Sequence, residues 1–187
     1  MKLIHDTLNE ISSNFNKLSK NCSTEIHTAT VMIINSLNNG GKIMFCGNGG
    51  SAADSQHLSA ELVGRYLKNR KPLAAISLTT DTSAITAIGN DFSFEEIFSR
   101  QIEAIGKKED ILYAISTSGN SLNVIKAIEQ ARYQGIKTIG VTGIEGNKMR
   151  NMCDLTISAP AKRPDRIQEM HIAVGQIICE IVEKELC

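Results

Sequence analysis

Residues 111–134 read ILYAISTSGNSLNVIKAIEQARYQ, an unbroken apolar run followed by a loop of hydroxyl residues and then by a helix-periodic stretch. The run Ile111 to Ile115 shows no polar alternation, so it predicts a strand covered on both faces, as in a parallel sheet. The stretch Leu122 to Gln134 predicts a helix, and strand, loop and helix in that order form the repeating unit of parallel α/β architecture. Working outward, similar apolar runs stand at Lys42 to Cys46 and Leu73 to Leu78 on one side, and at Thr138 to Thr142 and Leu155 to Ser158 on the other. Helical segments fit around them: Ala52 to Leu67, Phe94 to Ile105, a short piece over Asn147 to Met152, and a long one from Pro164 to Glu185. The expectation is an α/β fold, a five-stranded parallel sheet with helices on both faces. No internal repeat, low-complexity tract or linker interrupts it.

Two apolar stripes precede the sheet. Ile4, Leu8, Ile11, Phe15 and Leu18 recur at alternating spacings of four and three, the narrow seam of a helix that packs like a coiled coil. Ile26, Ala29, Ile33 and Leu37 form the second stripe, which ends at Asn39-Gly40-Gly41, a helix C-terminal signal. Two N-terminal helices are therefore expected, either covering the core of one monomer or pairing with another subunit. The 187 residues then form one domain, with 1–39 as a helical oligomerisation segment and 42–187 as the α/β core.

Composition narrows the function. Lys plus Arg number 20 and Asp plus Glu number 20, so the chain lacks the basic excess that drives binding to a phosphate backbone. Tryptophan is absent and aromatics are 4%, which removes the stacking platforms of a single-strand binder. Direct nucleic-acid binding is not expected. The five cysteines are scattered and form no Cys-x-x-Cys pair, so they read as reduced thiols. The N-terminal residues are polar where a signal peptide needs an apolar run, and no stretch approaches the ~20 apolar residues of a membrane span. The expected location is the cytoplasm, away from membranes.

In open parallel sheets ligands bind at the carboxyl ends of strands. The first such loop is Gly47-Asn48-Gly49-Gly50-Ser51, where glycines admit close backbone approach and the following helix start favours an anion. A plain strand-to-helix turn is the other reading of that motif. The second loop is Ser116-Thr117-Ser118-Gly119-Asn120-Ser121. Its four hydroxyl residues exceed what one N-cap needs, and with the exposed amides they make a phosphate cup. Neither loop matches the nucleotide-binding GxxxxGK[ST] or GxGxxG patterns. His57 and Glu61, four apart, share one face of the helix after the first loop. That spacing serves as two metal ligands, as a base with its partner, or as a surface pair.

GNGGSAADSQHLSAEL, TTDTSAITAIGNDFSFEEIFSRQ, ISTSGNSLNVIKAI and RIQEMHI together resemble the phosphoheptose isomerases of the sugar isomerase (SIS) domain superfamily, over essentially the whole chain. The resemblance implies a flavodoxin-like three-layer sandwich and an aldose–ketose isomerase. It would convert sedoheptulose 7-phosphate to D-glycero-D-manno-heptose 7-phosphate through an enediol, for the heptose of lipopolysaccharide. It also implies a cytoplasmic homotetramer with sites at subunit contacts and one Zn2+ per subunit. By the same resemblance Glu61 is the base and touches the metal, and His57 is a zinc ligand. Asn48, Gly49, Gly50 and Ser51 contact the sugar, Asn90 and Asp91 bind its hydroxyls, and Ser116, Thr117, Ser118 and Ser121 hold the phosphate. Gln168 would contact both substrate and zinc.

One position departs from that pattern. Eight residues after the matched glutamine the family has a histidine, a zinc ligand and general acid/base, and here the position is Gln176. His171 is no replacement, because the two positions lie about 140° apart around a helix. A carboxamide transfers no protons at neutral pH but still ligates a metal weakly and donates a hydrogen bond. Gln176 thus takes the fourth metal position and the place of the catalytic acid. The alternatives are a non-enzymatic relative that binds the replication initiator DnaA, which resembles the DnaA initiator-associating protein, and a sugar-phosphate-binding regulator.

Overall fold

The computed structural model describes residues 1–145 and 148–187. Helix α1 spans Lys2–Asn38 as one continuous rod of 37 residues, so the two expected N-terminal helices are one. The reason is plain in retrospect: neither glycine nor proline occurs before Gly40. Cys22 joins the two stripes, four residues from both Leu18 and Ile26; all three are buried, and the Cys22 thiol donates to the Ser158 carbonyl at 3.4 Å. The polar segment between the stripes occupies the outer face and breaks nothing.

The sheet comprises β1 (Ile43–Gly47), β2 (Ala75–Ser77), β3 (Ile111–Ser116), β4 (Lys137–Gly143) and β5 (Leu155–Ala159). All pairs are parallel and the order is β2-β1-β3-β4-β5. Side chains alternate with the strand period. Ile43, Phe45, Tyr113 and Ile115 join a core under α1, α2 (Gly50–Val63) and α6 (Pro164–Leu186). Met44, Cys46, Leu112 and Ala114 face the other way, toward α4 (Ser99–Ile105) and α5 (Leu122–Tyr133). The result is the expected doubly wound α/β sandwich.

Several boundaries differ from expectation. Helix α2 stops at Val63 rather than Leu67, because residues 66–68 turn back to donate their amides to Glu183. The expected helix Phe94 to Ile105 is a 3-10 turn, Phe94–Glu96, followed by α4. An unexpected helix, α3 (Thr82–Asp91), is capped by Asp81, whose carboxylate accepts from the Ala84 amide at 2.9 Å. The expected short helix over 147–152 begins at a residue outside those described, and Met149–Asn151 forms one 3-10 turn.

This strand order places the site. After β1 the chain crosses to β2 on one side, and after β3 it crosses to β4 on the other. The loops leaving β1 and β3 therefore part and leave a crevice between them at the carboxyl edge, where ligands of this architecture bind. Both sequence-identified loops are the walls of that crevice.

Candidate active site

The loop after β1 is shaped by its glycines. Gly49 has φ +56°, in the left-handed region where a side chain is strained, and it precedes the first turn of α2. At Gly50 a Cβ would collide with the Gln168 carboxamide, so the glycine lets that side chain lie across the start of α2. No side chain caps this helix start. The Ser51, Ala52 and Ala53 amides are taken up by the Asn48 and Gly49 carbonyls within the turn, and the positive end of the helix dipole favours an anionic or hydroxylated ligand. Ser51 is 5% exposed and donates its amide to the Asn48 carbonyl at 2.9 Å, so it braces the turn from within.

The loop after β3 gathers three hydroxyls. Ser116 Oγ lies 3.1 Å from Ser121 Oγ and 3.5 Å from Ser118 Oγ, and it accepts the Gly119 amide at 3.1 Å. Gly119 has φ +64°, which turns the loop back on itself. Ser121 stands at the N-cap of α5 without spending its side chain on capping. The Thr117 carbonyl accepts the Gly143 amide at 3.1 Å, tying the cup to the end of β4. A set of hydroxyls above a helix start offers donors to an anion such as a phosphate.

The two loops are joined by a residue that the sequence did not single out. Asn48 Nδ2 donates to Asn123 Oδ1 and Asn123 Nδ2 donates to Asn48 Oδ1, each at 2.8 Å. Asn123 is buried in the first turn of α5. Its position there reads as ordinary helix, and its side-chain partner across the crevice lies 75 residues earlier.

Helices α2 and α6 run parallel and bring side chains from the two together. Gly50 meets Gln168, Leu58 meets Gly175, and His57 meets Gln176. His57 Nε2 lies 2.9 Å from Glu61 Oε1 and 3.4 Å from Gln176 Nε2, so imidazole, carboxylate and carboxamide converge. Among the described residues no three His, Cys, Asp or Glu side chains are grouped to hold a metal ion. The convergent set instead offers two ordinary zinc donors, His57 and Glu61, with a carboxamide beside them whose oxygen is a further donor after a half-turn. That set fits a divalent cation, with fewer strong ligands than a His-rich site. His171, by contrast, is buried away from this cluster, and burial pushes its imidazole down to about 4. Asp54 lies one turn before His57, and burial raises its carboxyl to about 6 against the opposing pull of His57.

Asn90 and Asp91 end α3 and are exposed; among the described residues their side chains bond to each other, at 2.8 Å, and not to the two loops. A cleft of about 260 Å3 borders the hydroxyl cup on its β4 side, lined by Thr117, Ser118, Gly143, Lys162 and Ile167 among others. A larger cleft, about 820 Å3, opens at the opposite edge of the sheet near Asn35, Glu109 and Asp154. Asp110 and Asp154 in it are paired with Lys42 and Lys137, and no loop of the crevice reaches it.

Known proteins are similar to this chain in sequence and fold. A family model described as SIS domain matches residues 8–143. The chain is 57% identical over 166 residues to the phosphoheptose isomerase of Rhodospirillum rubrum, covering 89% of this chain and 88% of that one. It is 49% identical over 181 residues to the phosphoheptose isomerase of a Nitratiruptor species, covering 97% of each. The solved phosphoheptose isomerase GmhA of Neisseria gonorrhoeae superposes with a TM-score of 0.93 at 40% identity over 98% of each chain. That of Francisella tularensis superposes with 0.95 at 33% identity, over 98% of this chain and 97% of that one. With the crevice, the hydroxyl cup and the α2–α6 cluster in the same chain, these similarities establish that it belongs to the SIS domain family and, within it, to the phosphoheptose isomerases.

Proposed function

We propose that the chain isomerises sedoheptulose 7-phosphate to the aldose D-glycero-D-manno-heptose 7-phosphate, a heptose precursor for lipopolysaccharide. It is an aldose–ketose isomerase, as the relatives named above are. The observation that carries the reading is the crevice between β1 and β3, with a hydroxyl cup on one wall and, on the helix from the other, Glu61 and His57 facing Gln176 of α6. The relatives support the isomerase and give no support to a DnaA-binding or regulatory alternative.

In this reading Ser116, Thr117, Ser118 and Ser121 hold the phosphate, and Asn48, Gly49, Gly50 and Ser51 line the sugar's path, Ser51 by bracing the turn. Asn90 and Asp91 bind sugar hydroxyls. The Glu61 carboxylate takes the proton from the carbon beside the carbonyl and returns it to the neighbouring carbon, as a carboxylate base does in other sugar-phosphate isomerases. Gln176 does not carry a proton; its carboxamide donates to, or accepts from, the enediol oxygens. Proton movement between those oxygens then falls to the substrate and to water. His57, Glu61, Gln168 and Gln176 would hold one Zn2+. When bound, that ion polarises the substrate oxygens.

The assembly belongs to the same reading. Leu3, Ile4 and Leu8 on α1 are more than half exposed, as are Phe92 and Phe94, and α3 buries none of its residues. Apolar surface of that kind supports a homotetramer in which neighbouring copies cover α1 and α3. No helix of the described chain is long and apolar enough to cross a membrane, and the described cysteines are free. A cytoplasmic site of action is proposed on that basis.

The test is incubation of the purified protein with sedoheptulose 7-phosphate, with and without added Zn2+, beside the Glu61→Gln variant. Wild-type conversion should exceed that of the variant by about 100-fold or more. Equal rates would overturn the assignment.

A further inference from the structure

Behind the site, the stretch that follows α2 folds onto α6 through a single buried ion pair. Glu183 is 2% exposed and its carboxylate accepts the amides of Tyr66, Leu67 and Lys68 at 2.9, 2.7 and 2.7 Å. Its remaining bond is to Arg70, whose Nε donates at 2.8 Å from a side chain that is 3% exposed. The rest of the guanidinium points at the end of α2. Nη2 donates to the Glu61 carbonyl and Nη1 to the Leu62 carbonyl, each at 2.8 Å, and Nη1 reaches the Lys71 carbonyl at 3.1 Å.

The Glu61 and Leu62 carbonyls belong to the last turn of α2, which has no basic side chain of its own. A helix end leaves such carbonyls without intrahelical donors, and a cation there meets the negative end of the dipole. Arg70 therefore completes α2 from outside. Through Glu183 it also fixes that completed end to α6. Gln176 and Glu183 are seven residues apart, two turns along one face of α6. One of them meets His57 and the other, through Arg70, meets the main chain of Glu61.

We infer that Arg70 and Glu183 form a positioning pair for Glu61, holding its main chain at a fixed distance from the α6 residues that face the substrate. The inference rests on Glu61 being the base in the proposed isomerisation. Stability alone does not call for this pair, since a buried ion pair is commonly matched by apolar side chains of similar size. What an apolar pair cannot supply is the directional bonding to the carbonyls of residues 61 and 62 and to the amides of residues 66–68.

The experiment compares the wild type with Glu183→Gln, Arg70→Lys and the paired apolar variant Arg70→Met with Glu183→Leu, by steady-state kinetics and by amide deuterium exchange over residues 58–70. The paired variant is included because it removes both charges together and folds where a lone buried charge does not. In the paired variant kcat should fall by about 10- to 100-fold while KM stays within about twofold, the pattern of a misplaced catalytic group. Arg70→Lys should recover part of the lost kcat, and exchange in the last turn of α2 should accelerate in every variant that loses turnover. A folded paired variant with wild-type kcat, or with wild-type exchange over residues 58–64, would overturn the inference. If the wild type itself does not turn over, the proposed function fails, and the exchange measurement still decides whether the pair fixes α2.

Discussion

Asn48 and Asn123 exchange two side-chain hydrogen bonds of 2.8 Å, and this amide pair directly links the two walls of the crevice. Asn123 Oδ1 also accepts the Val124 amide at 3.0 Å, so the pair is anchored in the first turn of α5. An Asn123→Ala variant leaves the Asn48 amide without its partner and frees the loop after β1 from the hydroxyl cup. The expected cost is about 1–3 kcal/mol of transition-state stabilisation, read as a drop of roughly 10- to 100-fold in kcat/KM. An unchanged kcat/KM would mean that the loops hold their places independently.

The hydroxyl cup makes a separate demand. If Ser116 and Ser121 hold the phosphate, each replacement by alanine should remove one hydrogen bond to a charged group, about 1.5–3 kcal/mol. Calorimetric titration with inorganic phosphate and with the sugar phosphate checks this. Both ligands should weaken together, because the loss lies in the shared phosphate. Weakening of the sugar phosphate alone would place the phosphate elsewhere.

These sites were legible in the sequence to different depths, for physical reasons. The cup and the glycine turn are local: each lies within six consecutive residues after an apolar run, and the strand-loop-helix order fixes which end of the sheet they occupy. The alternation of Ile111, Tyr113 and Ile115 against Leu112 and Ala114 is invisible as a pattern, since both faces are apolar, but buried strands are recognised by that very lack of alternation. Asn123, Arg70 and Glu183 were not legible. Each has a side-chain partner or a set of amides 75 to 117 residues away, and each sits where a polar residue of a helix or loop is unremarkable. Helix α3 was missed although Ile85 and Ile88 give it a short apolar stripe, half-buried against the core beneath α4 and α5; that two-turn stripe and the Asp81 cap were its local signals. The continuity of α1 was there to be read in the absence of any breaker before Gly40.

His171 gives the fold an acid-sensitive element. Burial holds its folded-state pKa at about 4, below the ordinary value of 6.5. The unfolded chain therefore takes up a proton at higher pH than the folded one. The stability that its neutral form permits is fully present above pH 6.5 and is lost progressively as pH falls from 6.5 toward about 4. The loss is on the order of 3 kcal/mol. Urea unfolding from pH 7 to pH 4 should show that decline in the wild type and a smaller one in His171→Leu. Parallel curves for the two proteins would remove His171 from the account.

Gly175 sets how closely α6 approaches α2. A Cβ there would overlap both methyl branches of the buried Leu58, so Gly175→Ala must displace that side chain from between α2 and α6. Overpacking of this kind costs about 1–3 kcal/mol. Leu58 adjoins His57 in α2, so a displacement passed to the helix disturbs the 3.4 Å contact between His57 and Gln176. Thermal unfolding and kcat should fall together, and a variant that loses stability with kcat intact would show that the cluster tolerates the displacement.

The central claim is that Glu61 moves a proton between adjacent carbons of a sugar phosphate held in the crevice. It is tested most directly by running the reaction in D2O and following it by NMR. The wild type should convert sedoheptulose 7-phosphate to an aldose that carries deuterium at carbon 2, delivered by a base in exchange with solvent, and Glu61→Gln should form about 100-fold less. An absence of aldose product, or equal product from both proteins, would contradict it.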